Sequence, residues 1–182
     1  MDRTSCVDVP ALPLQLLLRD NPQWREHPTV VVKDDRPQGV ILWANVFARR
    51  YRILPGMTFA AARSLATTLR AAVVGPEEIR KAVDELTCAL SNFSPRVEPA
   101  MDHHPQTPEG SRSSASRGAK NPMQPGVFWV DPQGLDCLYG SLEHWAHSMQ
   151  GALSKLGFVA TVVVGFHRFR SYALARTRQG AW

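Results

Sequence analysis

Hydrophobic positions change their spacing several times along the chain, and each change marks an element. SCVDV at 5–9 is a short apolar run that predicts a buried strand, ended by Pro10, which cannot donate to a ladder. ALPLQLLLRD at 11–20 predicts a helix, because Pro13 suits a first turn and Asn21-Pro22 breaks the element. TVVVK (29–33) and GVILW (39–43) are β-branched runs separated by the turn-rich DDRPQ, and they predict a hairpin. ANVFARRYRI begins a helix that stops before Pro55-Gly56, and the Ala-rich TFAAARSLATTLR predicts another.

A second unit begins at Gly75. Pro76 opens a helix with Glu77 and Glu78 in its first turn, where the helix dipole favours acids, and Ile79, Val83, Leu86 and Leu90 share one face. Pro95 ends it. Strands near 96–101 and 126–131, a helix from Ser141 to about Leu156, a strand at 158–165 and a helix from about Arg168 follow. With the first strand the order is β, α, β, β, α, β, the split βαβ of a ferredoxin-like sheet. The fold class is therefore α+β. Residues 1–10 and 76–182 form the sheet domain, and 11–75 are an α/β insertion after its first strand.

Composition narrows the class. The 182 residues are 44% hydrophobic and 20% charged with a net charge of +5, which predicts a basic globular protein of one domain or a core with a smaller lobe. A basic balance favours a polyanionic partner. The longest apolar runs fall well short of the roughly 18–20 residues that span a bilayer, and no secretory leader pattern opens the chain, so a cytoplasmic protein without membrane contact is expected. Cys6, Cys88 and Cys137 are odd in number and lack CxxC spacing, which favours free thiols over disulfides or zinc. The Ser-, Pro- and Gly-rich stretch at 103–124, with Arg112, Arg117 and Lys120, reads as a mobile loop. The chain stops at RTRQGAW just after a helix starts, as a piece of a longer protein would.

Several positions carry candidate chemistry. If the first and third strands of the sheet domain are neighbours, Asp8 and Asp131 project from adjacent strand ends and form a pair able to hold a divalent cation. Two-metal phosphoryl transfer needs further oxygen ligands, and Pro132 offers none. The alternative is that both aspartates cap turns. His103-His104 lies in the polar loop without other ligands, and His144 and His147 are polar positions of a helix. Ser141, His144 and Asp136 lack a GxSxG elbow, and Ser141 is placed to cap the helix it opens. RFRSYALARTR interleaves basic and aromatic residues and faces either a nucleic acid, a partner or solvent. Trp24, Trp43, Trp129 and Trp145 read first as core.

Four segments resemble, in order, the motifs of Y-family translesion DNA polymerases (the UmuC/DinB-like proteins). VDVPALPLQLL is similar to a hydrophobic residue followed by D-M-D-A-F-F-A-S-V-E, and GVILWANVFARRYRILPGM to the fingers motif A-N-Y-x-A-R-x-x-G-V-x-x-G-M. VFWVDPQGLDCLYG resembles S-x-D-E-A-F-L-D, and VVVGFHRFRSYALA resembles V-G-I-A-x-N-K-x-L-A. The resemblance implies a ferredoxin-like palm with inserted fingers, the thumb and little finger being absent from these residues. It sets Asp8 on the first catalytic aspartate and Asp131 on the second, with Pro132 in place of a glutamate. Pro13 replaces the aromatic steric gate, Val46 replaces a tyrosine that binds the triphosphate, and Arg49 keeps an arginine that grips it. Phe169 replaces an asparagine and Arg170 a lysine that reaches the phosphates.

These replacements imply a pseudo-polymerase that needs no cofactor, with at most weak magnesium binding at Asp8 and Asp131. Trp129 is expected to fill part of the former nucleotide space. The strings D-x-P-A-L-P-L-Q-L-L and W-x-D-P-x-G-L-x-x-L-Y-G-S are most similar to the ImuB-type branch, the degenerate subunit of bacterial mutagenesis cassettes induced by DNA damage. That likeness implies a nucleoid-associated adaptor for a RecA-like ImuA-type protein, a DnaE-type error-prone polymerase and the sliding clamp. The clamp and DNA contacts are expected beyond Trp182. Two alternatives are a weakly active polymerase that recruits Asp136 or a backbone carbonyl as a substitute ligand, and a module in which Arg49 and Arg170 hold a nucleotide without turnover.

Overall fold

The computed structural model describes residues 3–100 and 125–177. The loop expected at 103–124, with His103, His104, Arg112, Arg117 and Lys120, lies outside the described residues. Strand β1 (Thr4–Asp8) runs between β6 (Val127–Val130) and β7 (Thr161–Gly165), and β5 (Val97–Pro99) flanks β6, giving the order β5-β6-β1-β7. Each neighbouring pair is antiparallel. This is the ferredoxin-like order that the element sequence predicts.

One face of this sheet carries the main core. Helices α4 (Pro76–Ser91) and α6 (Leu142–Lys155) lay Val83, Leu86, Leu90, Trp145, Met149 and Leu153 against Val7 and Phe128. Local chemistry sets both helix starts. Glu78 accepts from the Gly75 N–H at 2.8 Å ahead of Pro76, and the Ser141 hydroxyl accepts from His144 N at 3.1 Å. Trp145 is fully buried, and its indole N–H is satisfied by the Phe93 carbonyl at 2.9 Å.

The opposite face is covered by α7 (Arg168–Thr177), which lies over Cys6, Val127 and Trp129 with Ala175 beneath it. The approach is close: a Cβ added at Gly165 would sit 2.4 Å from the Ser171 hydroxyl oxygen. Burial, reinforced by the nearby Asp8 carboxylate, pushes the Cys6 thiol up to about 12. Cys88 and Cys137 are exposed.

The inserted lobe has its own three-stranded sheet, β3 (Ile41–Ala44), β2 (Thr29–Val32) and β4 (Arg70–Ala72), with β2–β3 antiparallel and β2–β4 parallel. Helix α2 (Val46–Arg50) follows β3, and α3 (Phe59–Leu65) follows a turn. The sequence predicts one helix through TFAAARSLATTLR. Instead it ends at Leu65, and Arg70–Ala72 join β2 as an edge strand; ladder pairing outweighs the helix propensity of the alanines. Helix α1 (Leu12–Asp20) serves both lobes: Leu12 and Leu16 enter the main core, while Leu14 and Leu17 pack with Val31, Trp24 and Trp43. A further short helix, α5 (Leu135–Tyr139), lies between two left-handed glycines, Gly134 and Gly140.

Three outcomes follow for stability and reactivity. Gly126 has φ +105°, and a Cβ there would lie 2.4 Å from the Val9 carbonyl oxygen, so Gly126→Ala is expected to cost about 2–3 kcal/mol in denaturant unfolding. Gly151, exposed within α6 with open space around its missing Cβ, behaves oppositely, and Gly151→Ala is expected to add about 0.5–1 kcal/mol. Thiol titration at pH 8 should modify Cys88 and Cys137 in the native chain and reach Cys6 only on unfolding; prompt labelling of Cys6 would contradict its placement.

Candidate functional site

Four chain segments meet at the end of the sheet where β1 stops. Asp8 pairs with Val127 at the start of β6 and with Thr161 at the start of β7, and Ala100 N donates to the Val127 carbonyl at 2.8 Å, which brings the end of β5 alongside. Val9 N donates to the Gly126 carbonyl at 2.7 Å, fixing the turn beyond Asp8. The chain then passes through Ala11, whose φ of +47° caps α1, so a strained residue separates the strand from the helix.

Asp8 is completely buried. Its Oδ2 lies 3.4 Å from Nε of Arg176, which comes from the last turn of α7, and the guanidinium of Arg176 stands 5.3 Å from the centre of the Tyr172 ring one turn earlier. A desolvated carboxylate needs a positive partner, and here an arginine side chain supplies it.

Asp131 and Pro132 are elsewhere. Because β1 and β6 are antiparallel, Asp8 faces Val127, and Asp131 lies four residues further along β6, about 13 Å away along the strand. The pairing of Asp8 with Asp131 around a cation is thereby corrected: adjacent strands that run in opposite directions send their C-terminal ends to opposite edges. Asp131 caps a turn, accepting from Gln133 N at 3.0 Å and facing Arg96 at 3.8 Å, while Pro132 is buried beside it. Pro132 therefore does not stand beside Asp8 where a third metal ligand would be, and Asp136 follows it in the first turn of α5, accepting from Cys137 N at 3.1 Å.

The remaining predicted positions separate too. Val46 lines a groove of about 460 Å³ between the lobes, together with the apolar Pro10, Leu14, Phe47, Phe158 and Val159 and the polar Gln15, Arg25, Asn45 and Ser154. Pro13 is buried in the first turn of α1 and presents no ring to this groove. Arg49 is exposed on α2. Arg170 is exposed in the first turn of α7, about 9 Å along the helix from Arg176, so it does not reach the Asp8 end. Trp129 also departs from expectation. It packs under Arg168, 5.4 Å from the ring centre, and lines a cleft with Arg3, Arg96 and Asp131 at the far edge of the sheet.

Two residues of consequence escape the sequence reading. Gln15 is buried and ties the lobes together, donating to the carbonyls of Pro10 (2.7 Å) and Val159 (3.0 Å) and accepting from Val159 N (2.8 Å). Arg176 is the other; the small residues Ser171 and Ala175, four apart, mark the packing face of its helix and were the available signal. Asn45 does similar work in the inserted lobe, accepting from Thr29 N and Ala48 N and donating to the His27 carbonyl.

The divalent cation implied by the resemblance is a poor match for these residues. Hard cations take about six oxygen ligands. Among the described residues no group of three or more His, Cys, Asp or Glu side chains converges, and the carboxylate at the end of β1 already faces a guanidinium.

The fold has close counterparts among solved structures. An insertion ternary complex of Dbh DNA polymerase aligns with a TM-score of 0.73 at 17% identity, covering 98% of this chain and 46% of that one. A post-insertion binary complex of Dbh DNA polymerase gives 0.74 at 17% identity with the same coverage. DinB from Sulfolobus solfataricus gives 0.70 at 16% identity, also with 98% and 46% covered. The chain thus spans about half the length of these structures, and at such identities the likeness speaks for a shared palm and fingers fold. No curated protein matches the sequence. The sequence profile of the impB/mucB/samB family matches residues 7–104, more than half of the chain, and the protein belongs to that family.

Proposed function

We propose that this chain is the palm and fingers part of a non-catalytic, Y-family-like scaffold acting in translesion synthesis and damage-induced mutagenesis. The observation that carries the reading is the burial of Asp8 against Arg176, which sets a guanidinium rather than open solvent before this carboxylate. Two replacements support it. Val46 brings no hydroxyl to the groove, and Pro13 offers no aromatic gate. The groove walls are mainly apolar with one arginine, a poor match for a triphosphate, which needs several cations.

The strings at 8–17 and 129–141 support placement in the ImuB-type branch. On that placement the protein gathers a RecA-like ImuA-type partner, a DnaE-type polymerase and the sliding clamp on damaged DNA, working at the nucleoid. Two of the solved relatives are named as ternary and binary polymerase complexes, and a net charge of +5 suits a DNA-associated chain.

Primer extension by the full-length protein with magnesium or manganese is expected to stay at background. Nucleotide-dependent extension abolished by Asp8→Ala would contradict the reading. Millimolar deoxynucleotide with magnesium should leave the unfolding temperature of the chain unchanged, since a ligand bound only to the folded state raises it. A rise lost in Arg49→Ala would instead favour a nucleotide-binding module.

A further inference from the structure

At the edge of the sheet remote from Asp8, the turn from β7 into α7 gathers exposed rings and guanidinium groups that the proposed function leaves unused. We propose that this corner binds single-stranded nucleic acid, with Phe166 and Phe169 stacking on bases and the neighbouring arginines meeting phosphates. It is separate from the Asp8 end: Gly165 pairs with Thr4 and Thr161 with Asp8, which sets the two about 13 Å apart along the strands.

The first argument is the placing of the rings. Phe169 is 82% exposed and Phe166 54%, and they stand three residues apart at one corner. The helix itself turns Phe169 outward. Ser171 and Ala175 are the buried positions of α7, and Phe169 lies about 200° round the helix from Ser171. Single apolar side chains at a surface are ordinary, but two large rings together mark a place where a ligand is met. A third aromatic residue nearby, Trp129, is buried under Arg168 and serves as the floor.

The second argument is charge. Arg3 sets its guanidinium 5.8 Å from the centre of the Phe166 ring. Arg96 and Arg168 line the adjoining cleft with Arg3 and Phe166, and Arg170 is exposed in the first turn of α7. Among the described residues of this corner and its cleft, these four arginines meet two carboxylates: Glu98, bonded by Arg168 at 3.2 Å, and Asp131, 3.8 Å from Arg96. A positive excess remains, and Arg168 is held in place between Glu98 and Trp129. The excess is modest, so stacking has to supply part of the affinity for a polyanion. Rings stack only on bases freed from their neighbours, which favours a single strand over a duplex. An acidic peptide would bring charge without flat faces for both rings.

Fluorescence anisotropy of a labelled oligothymidylate of about twelve nucleotides, titrated with the chain, tests this. Phe169→Ala is expected to weaken binding about 10-fold, by the same factor at about 50 mM and about 200 mM salt, because stacking is not screened. Arg170→Ala should instead weaken binding most at low salt and reduce the salt slope by about one charge. Both side chains are exposed, so both variants should keep the parent's unfolding temperature. A duplex of the same length should bind more weakly than the single strand. The proposal is overturned if the oligonucleotide does not bind, if Phe169→Ala binds as the parent does, if the duplex binds equally well, or if a glutamate-rich peptide binds in preference. Primer extension reads the Asp8 end and strand binding reads this corner, so the failure of one leaves the other standing.

Discussion

A carboxylate shut away from water must face a positive group, and this requirement organises the end of the sheet where β1 stops. Asp8 is fixed between two antiparallel neighbours and fully buried, so the compensating charge has to come to it. Arg176 does so from the last turn of α7. The position of that helix, the environment of Cys6 beneath it and the closure of the sheet's second face are all consistent with this one contact.

The rest of the molecule builds a rigid frame around it. Large apolar side chains from α4 and α6 secure one face of the sheet, and α1 contributes leucines to both lobes. Gln15 adds three hydrogen bonds between α1, the turn after β1 and the approach to β7. In a buried setting such a fully satisfied amide adds specificity, since any displacement of the lobes would leave its partners unpaired. The groove beside it, lined by Gln15 itself with Pro10, Leu14, Phe158 and Val159, opens along this contact between the lobes.

Much of this fold was legible in the sequence, because its elements have clear periods and clean boundaries. The order of strands and helices gave the ferredoxin-like sheet, Gly75-Pro76 and Ser141 marked helix starts, and the TVVV and VILW runs marked the second sheet. Arg70–Ala72 was obscured because three residues between turn and glycine carry too little pattern to oppose an alanine-rich helix. The site was less legible. Asp8 stands at the end of β1 as its apolar run predicts, but neither strand adjacency nor motif similarity carries strand direction, and antiparallel pairing sends Asp131 to the other edge. Arg176 carried no motif signal: the helix runs back along the sheet, so the arginine that meets Asp8 is the one at its far end.

The central claim is that a guanidinium holds the place where a metal would bind. It is tested most directly by titrating the chain with Mn²⁺ and following the free ion by electron paramagnetic resonance. The account predicts no specific site, the signal tracking added metal in the parent and in Asp8→Asn alike. One stoichiometric site in the parent, lost in Asp8→Asn, would contradict it.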